Sequence, residues 1–264
     1  MIGLATAEAA PSIADQTFDC LIEARQTVKL SSSALGMVAE LYVDRGDVVT
    51  KGQLLGKLDD RVEAANLALA RAKASSEYEI VGHEARLEWL KTKFLRADEL
   101  ATTRLVSKNT RDEAESDMRV EAQQLRLSHH QRAVAQLEAE QAAAVAAQRI
   151  FVSPINGVVV ERLLSVGEYR NDQSAVLTLA EIDPLRVEVF VPTAYYGQIK
   201  VGATGHVRPE QPVGGEHAAT VIVADRVIDA ASGTYGVRLE MRNPELAVPA
   251  GLKCRIQFDA PPRE

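Results

Sequence analysis

The hydrophobic pattern changes twice along the chain, near residue 60 and again near residue 149. Between these points apolar residues recur three and four positions apart among charges of both signs, a spacing typical of helices. None of the 10 prolines lies between Ser12 and Ser153, and Gly82 is the only glycine between Asp60 and Arg149. This segment is therefore predicted to be helical over about ninety residues.

The helical segment is predicted to form two antiparallel arms that pack through a narrow coiled-coil seam, because neither arm has a wide apolar face. In the first arm the seam is predicted at Ile80, His83, Leu87, Leu90, Phe94, Ala97 and Ala101. In the second arm it is predicted at Val120, Leu127, Val134 and Leu137, with Gln123 and His130 at polar positions.

Capping signals place the ends of the arms. Asp60 with Glu63 marks the start of the first arm, and the second starts either at the Thr110–Glu113 capping box or at Ser107. Polar residues between 101 and 109 predict the turn. Each arm has about 40 residues and would be roughly 60 Å long at 1.5 Å per residue, so the hairpin is expected to project from the rest of the protein.

The flanks carry glycine punctuation and β-branched runs, which predict short strands. The helical hairpin is therefore an insertion into a β module. The predicted strands are Thr27–Leu30, Val38–Val43, Ile150–Val152, Val158–Val160, Leu185–Val191, Thr220–Val227, Val237–Met241 and Leu252–Phe258.

Composition and charge exclude several classes of protein. Among 264 residues, 46% are hydrophobic and 25% charged, as in ordinary globular proteins, and the net charge of −7 disfavours binding to nucleic acid. No run of 18 apolar residues predicts a membrane span. The segment Met1–Ala10 is either the remnant of a secretory signal near its cleavage site or an ordinary terminus.

The chemistry-bearing residues predict neither an enzyme nor a cofactor. No Gly-x-Ser-x-Gly, phosphate loop, His-Glu-x-x-His or paired catalytic carboxylates occur. His129 and His130 would point about 100° apart on a helix, so no metal site is predicted. Cys20 lies in the first predicted strand and Cys254 in the last, and they are either a disulfide or two buried thiols.

The two flanks of the hairpin resemble each other. A Gly-x-Val step begins at Gly36 in the first and at Gly157 in the second, and ten residues later Gly46 and Gly167 are each followed by an acidic residue. Because glycine allows the positive φ of tight turns, these glycines, together with Gly52 and Pro154, are predicted to make the turns. Two such halves resemble the small sandwich of lipoyl and biotinyl carriers, although the hairpin replaces the turn where a carrier lysine would lie.

This order of elements, a lipoyl-like half, a helical hairpin, the second half and then a β-barrel, resembles the periplasmic adaptors of tripartite efflux pumps, the membrane fusion protein or HlyD-like family. The resemblance implies an elongated, mainly β fold with a lipoyl-like barrel-sandwich hybrid, a β-barrel and a long coiled-coil α-hairpin. Only residues 259–264 follow the last predicted strand, so the membrane-proximal domain of many such adaptors is expected to be absent. The implied domains are an N-terminal segment with the first barrel strand at 1–24, the lipoyl-like domain at 25–59 and 150–182, the hairpin at 60–149 and the barrel at 183–264.

A sharper resemblance lies at the predicted tip. Adaptors that pair with TolC-like outer-membrane channels carry an arginine, a leucine four residues later and a serine seven residues beyond that. Arg96, Leu100 and Ser107 have this spacing. The resemblance implies that they dock on such a channel, whereas each residue alone is also explained as a solvated charge, a seam residue and a helix cap.

The implied function is that of an adaptor that assembles into a ring and links an inner-membrane transporter to the outer-membrane channel, in the periplasm and associated with the inner membrane. The transporter is expected to be of the resistance-nodulation-division (RND) type and the cargo to be drugs or other toxic solutes. An ABC transporter as the motor, or a non-transport coiled-coil or lipoyl-like scaffold, are the alternatives.

Overall fold

The computed structural model describes residues 13–260, so the signal-like segment Met1–Ala10 lies outside the described residues. The described chain divides into two compact units. One contains the chain on both sides of the helices, up to residue 56 and from residue 151, and the other is Lys57–Ile150. The chain is thus mainly β with a helical hairpin inserted into it, as the sequence predicts.

The β elements are more continuous than the predicted strands. Two short 3-10 helices, Ile13–Asp15 and Thr193–Tyr195, accompany them. The strands are β1 Thr17–Leu30, β2 Gly36–Leu41, β3 Val48–Val49, β4 Leu54–Leu58, β5 Ile150–Val152, β6 Gly157–Arg162, β7 Tyr169–Arg170, β8 Leu177–Pro192, β9 Thr204–Pro209, β10 His217–Asp229, β11 Thr234–Met241 and β12 Leu252–Phe258.

Six strands close into a barrel. The hydrogen-bonded order is β1-β12-β9-β10-β11-β8, and β1 also pairs with β8, which leaves no open edge. Alternate residues of β11 point inward, among them Val237, Leu239 and Met241, and all three are fully buried. Cys20 on β1 lies opposite Cys254 on β12, and a disulfide joins them with 4.8 Å between their Cα atoms.

The second β region is a sandwich built from the two half-motifs. Strands β6 and β3 extend the larger sheet beyond β8, and a second sheet has the order β5-β4-β2-β7. The two halves exchange equivalent hydrogen bonds. Val38 donates its N–H to the Glu168 carbonyl and accepts from Gly167, both at 2.9 Å, and Val159 does the same with Asp47 and Gly46 at the same distance. The internal repeat of the sequence is thus an approximate two-fold symmetry of the sandwich.

The glycines of the repeat serve two different purposes. Gly46, Gly52 and Gly167 have φ of +93°, +84° and +90°, the left-handed conformation that glycine adopts without strain. The prediction of turns was wrong for Gly36 and Gly157, which are the first residues of β2 and β6.

Gly157 is required by close packing rather than by a turn. A Cβ atom there would lie 2.1 Å from the carbonyl oxygen of Ala180, which no side chain tolerates. Pro154 lies in the bend between β5 and β6, just before this close approach.

The helical unit contains three helices, α1 Arg61–Ser75, α2 Tyr78–Thr102 and α3 Lys108–Ala147. The expectation of a single first helix was wrong. Ser76 has an extended conformation, with φ −69° and ψ 124°, and ends α1. Serine competes with helical hydrogen bonding, and Ser75 bonds its hydroxyl to the Ala72 carbonyl at 3.1 Å, so this polar run is a weak point in the helix.

The prediction of which residues form the buried seam is confirmed for α2 at three positions and is wrong for α3. Ile80, Leu87 and Leu90 are buried on α2, whereas the α3 residues predicted as seam, Val120, Leu127, Val134 and Leu137, are exposed. The buried residues of α3 are instead Ala114, Glu121 and Ser128, seven positions apart. The seam of α3 therefore runs through small and polar residues, and His130 is likewise exposed.

A buried ionic cluster accounts for the polar seam. Glu121 is 6% exposed, and its two carboxylate oxygens lie 2.6 Å from His83 Nδ1 and 3.2 Å from Arg86 Nε on α2. A buried charge is tolerated when it is paired in this way.

Candidate functional site: the hairpin tip

The tip of the hairpin is the connection between α2 and α3, residues 103–107, and α2 ends there in a regular capping motif. The N–H of Leu105 donates to the Leu100 carbonyl at 2.9 Å, and the N–H of Arg104 donates to the Ala101 carbonyl at 3.1 Å. These two bonds form a Schellman motif, whose left-handed position is usually glycine. Here that position is Arg104, with φ +60°.

The start of α3 is fixed by Ser107, and the alternative Thr110–Glu113 capping box was wrong. The Ser107 hydroxyl oxygen accepts from the Thr110 N–H at 3.1 Å, and its hydroxyl lies 2.9 Å from that of Thr110. An N-cap of this kind satisfies one of the free N–H groups of the first turn. Ser107 therefore has a structural role at the tip whether or not it contacts a partner.

The three residues of the spaced triplet all lie at this end of the hairpin with exposed side chains. Arg96 and Leu100 are one turn apart on the same face of α2, and Ser107 lies across the loop. Leu100 is 40% exposed. No hydrogen bond or ion pair joins the Arg96 side chain to any other residue within 13–260. An unpaired guanidinium one turn from an exposed leucine can bind a carboxylate or carbonyl next to an apolar group.

An ionic clamp holds the two helices together directly below the loop. Arg111 on α3 donates from Nε to Asp98 on α2 at 3.0 Å, and from Nη1 to Glu115 at 2.8 Å. Its guanidinium also lies 5.3 Å from the centre of the Phe94 ring, a cation–π distance. Hydrogen bonds to Asp98 and Asp112 raise the pKa of Arg111 above its usual value. The tip is thus braced from both arms.

Sequence reasoning did not single out Arg104, Leu105 and Arg111, which complete the tip. Leu105 is 72% exposed. The sequence did offer one signal for the tip, the apolar pair Leu105-Val106 inside an otherwise polar turn. A turn of this kind contains no hydrophobic core in which the two side chains could be buried. Arg111 could be found only from the pairing of the two helices.

The tip presents an exposed guanidinium and exposed apolar side chains, which are groups suited to binding a partner. Within residues 13–260 no three His, Cys, Asp or Glu side chains converge as they would around a metal ion. None of the helices in the described part of the chain combines the length and the apolar character needed to cross a bilayer.

The comparisons with known proteins agree with the architecture. The family model described as "CzcB-like, barrel-sandwich hybrid domain" matches residues 26–181. A UPF0194 membrane protein of Yersinia pseudotuberculosis is 26% identical to this chain, and the match covers 72% of this chain and 71% of that protein. A sequence identity of 26% does not by itself assign a function.

Two solved structures have a similar fold. MacA from Actinobacillus actinomycetemcomitans superposes with a TM-score of 0.75 at 19% identity, covering 92% of this chain and 78% of that one. A membrane fusion protein of Streptococcus pneumoniae superposes with a TM-score of 0.60 at 15% identity, covering 93% and 99%. Because the family model spans more than half of the chain, this protein belongs to the family with a CzcB-like barrel-sandwich hybrid domain, the periplasmic membrane fusion or adaptor proteins.

Proposed function

We propose that this protein is the periplasmic adaptor of an efflux pump and that it links an inner-membrane RND transporter to a TolC-like outer-membrane channel. The observation that carries the proposal is the tip, where Arg96 and Leu100 are exposed side by side on a braced helix end. A preorganised surface loses little entropy on binding, so a small patch of this kind suffices for docking. Arg96, Leu100 and Ser107 are the proposed contact residues.

The adaptor needs no chemistry of its own, because the transporter supplies the energy for efflux. The cargo is then drugs or other toxic solutes, and the protein works in the periplasm in association with the inner membrane. Membership of the adaptor family supports this reading.

Self-association into a ring is part of the proposal, and the exposed apolar residues of α3 support it. Val120, Leu127 and Val134 are seven positions apart and share one side of the helix, outside the seam. Exposed apolar stripes of this regularity mark helix–helix contacts. We expect Leu127→Asp to reduce cross-linking between copies, whereas Gln136→Asp, on the opposite side of α3, leaves it unchanged.

The proposal is tested by deleting the gene in its host and measuring susceptibility to a panel of dyes, antibiotics, detergents and metals. Complementation with the wild type should restore resistance, and Arg96→Asp should not, since the reversed charge cannot bind the same acceptor. Arg126→Asp is the matched control, because Arg126 is also an exposed arginine of the hairpin without an ion-pair partner within residues 13–260. Resistance at the wild-type level with Arg96→Asp would refute docking through the tip.

Capture of the partners separates the two kinds of motor. Cross-linking in the membrane followed by purification should recover an RND transporter together with the channel. Recovery of an ABC transporter instead would support the adaptor role with ATP hydrolysis as the energy source. Recovery of neither transporter would favour a scaffold without a transport role.

A further inference from the structure

A groove lies where the two long strands β1 and β8 pass from the barrel to the sandwich. Residues 20–24 of β1 pair with barrel residues of β8, and residues 26–30 pair with its sandwich residues. The register shifts between Ala24, which pairs with Leu185, and Gln26, which pairs with Glu181, so that Arg25 faces a β-bulge formed by residues 182–184 of β8. Bulges turn side chains into new directions and occur next to binding sites more often than elsewhere.

Two adjoining hollows open at this bulge. The larger has a volume of about 700 Å³ and the smaller about 330 Å³, and Arg25, Gln26 and Arg186 line both. Volumes of this size accommodate small organic ligands. The two hollows therefore form one groove around a pair of arginines.

The two arginines keep hydrogen-bond donors available. Arg25 forms long ion pairs with Glu181 at 3.6 Å and with Glu240 at 3.9 Å, and neither distance is short enough for a hydrogen bond. The half-buried Arg186 has no hydrogen bond or ion pair with any side chain within residues 13–260. Lys51 adds a third positive charge at the rim of the smaller hollow.

Two carboxylates also line the groove, and they differ in how far they are engaged. Glu181 accepts a hydrogen bond from Gln26 Nε2 at 2.7 Å, so one of its oxygens is already occupied. Glu23 is opposite Arg186 in the register of β1 and β8, yet no ion pair joins them. Both carboxylates oppose an anion in the groove, and Glu23 is the one of the two that has no ion pair with an arginine within residues 13–260.

The larger hollow continues from the arginines along an apolar wall. It is formed by Val158, Val160, Ala180, Ile182, Pro249 and Ala250. A ligand in the larger hollow therefore meets both charged and apolar side chains.

We propose that this groove binds an amphiphilic anion, with its carboxylate or phosphate head at Arg25 and Arg186 and its hydrocarbon chain along the apolar wall. Guanidinium forks hold both head groups through paired hydrogen bonds, and the wall removes the chain from water. This site is separate from the hairpin tip, and it does not depend on the proposed docking to a channel.

The test is isothermal titration of the full chain with dodecanoate and with dodecyl phosphate, each below its micelle concentration. Acetate, inorganic phosphate and dodecyltrimethylammonium are the matched probes that lack the chain or the negative charge. We expect saturable one-to-one binding of one or both anionic amphiphiles, and none of the three controls. Whichever head group binds more tightly identifies the source, a carboxylate or a phosphate.

The variants test the position of the head group. Arg186→Gln should weaken binding by about tenfold, the loss expected for a charge-assisted hydrogen bond. Glu23→Gln should tighten binding, because it removes one opposing charge. Arg226→Gln, an exposed barrel arginine that does not line the groove, should leave binding unchanged. Absence of binding, equal binding of the cationic amphiphile, or wild-type binding by Arg186→Gln would each overturn the proposal.

Discussion

The backbone N–H of Leu105 donates to the carbonyl of Leu100, five residues earlier, and this bond closes the end of α2 around Arg104. The residue inside such a closure must be left-handed, and a non-glycine residue there is strained. Backbone strain that is retained at an exposed tip indicates a functional role for the side chain at the strained position, here Arg104.

We therefore expect Arg104→Gly to change stability and docking in opposite directions. Glycine removes the strain and should raise the free energy of unfolding of the hairpin by about 1 kcal/mol. Loss of the guanidinium should weaken binding to the channel. Thermal unfolding and complementation of the deletion strain measure the two effects, and a decrease in stability would contradict the reading of the motif.

The clamp between Arg111 and Asp98 should keep the tip closed. With Arg111→Gln the amide protons near the loop should exchange with solvent severalfold faster, while exchange at the buried cluster around Glu121 stays the same, because the clamp is local. Hydrogen-exchange mass spectrometry distinguishes the two regions. Arg126→Gln serves as control, and a uniform increase along the hairpin would show that Arg111 stabilises the whole unit instead.

Two glycine substitutions should have opposite effects on stability. Gly157→Ala places a Cβ atom against the carbonyl of Ala180 and should cost about 2 kcal/mol or more. Gly82→Ala meets nothing within 4 Å on helix α2 and should stabilise by about 1 kcal/mol. Denaturant unfolding of both variants provides the measurement. If Gly157→Ala were as stable as Gly82→Ala, the backbone of the sandwich would have to move to make room for the added Cβ atom.

The Cys20–Cys254 disulfide should stabilise the barrel, because it joins residues 234 positions apart and so restricts the unfolded chain. A reducing agent should lower the free energy of unfolding by about 2–5 kcal/mol. The double variant Cys20→Ser with Cys254→Ser should already have the lower value and should not respond to the reductant. If the reductant also lowered the free energy of unfolding of that variant, the loss of stability would not come from this disulfide.

Asp59 gives a prediction about pH. The Arg61 side chain and N–H hydrogen-bond its carboxylate and lower its pKa from 3.8 to about 2. Since the folded pKa is the lower one, the stabilisation is complete above pH 4 and is lost as the pH falls towards 2. Titration followed by NMR should give a value near 2, and Arg61→Gln should move it back towards 3.8. An unchanged value in that variant would exclude Arg61 as the cause.

Local signals in the sequence were sufficient for the kinds of element and their order. The proline-free and glycine-poor segment identified the inserted hairpin, the Ser107 alternative identified the start of α3, and the repeated Gly-x-Val step identified the two halves of the sandwich. Each of these depends on residues that are near one another in the chain, where backbone preferences and capping act directly.

Tertiary packing decided the remainder. The sequence ranked Val120 and Leu127 above Glu121 for the seam, because hydrophobicity counts only the side chain and not the partners, His83 and Arg86, that α2 brings to a buried carboxylate. It left Cys20 and Cys254 either bonded or free until β1 and β12 were neighbours. It also assigned Gly157 to a turn, since a close approach to the Ala180 carbonyl exists only once β6 pairs with β8. The sequence thus determined the kind and order of most segments, and the folded structure determined which residues of those segments meet, because the energies of distant contacts depend on both partners.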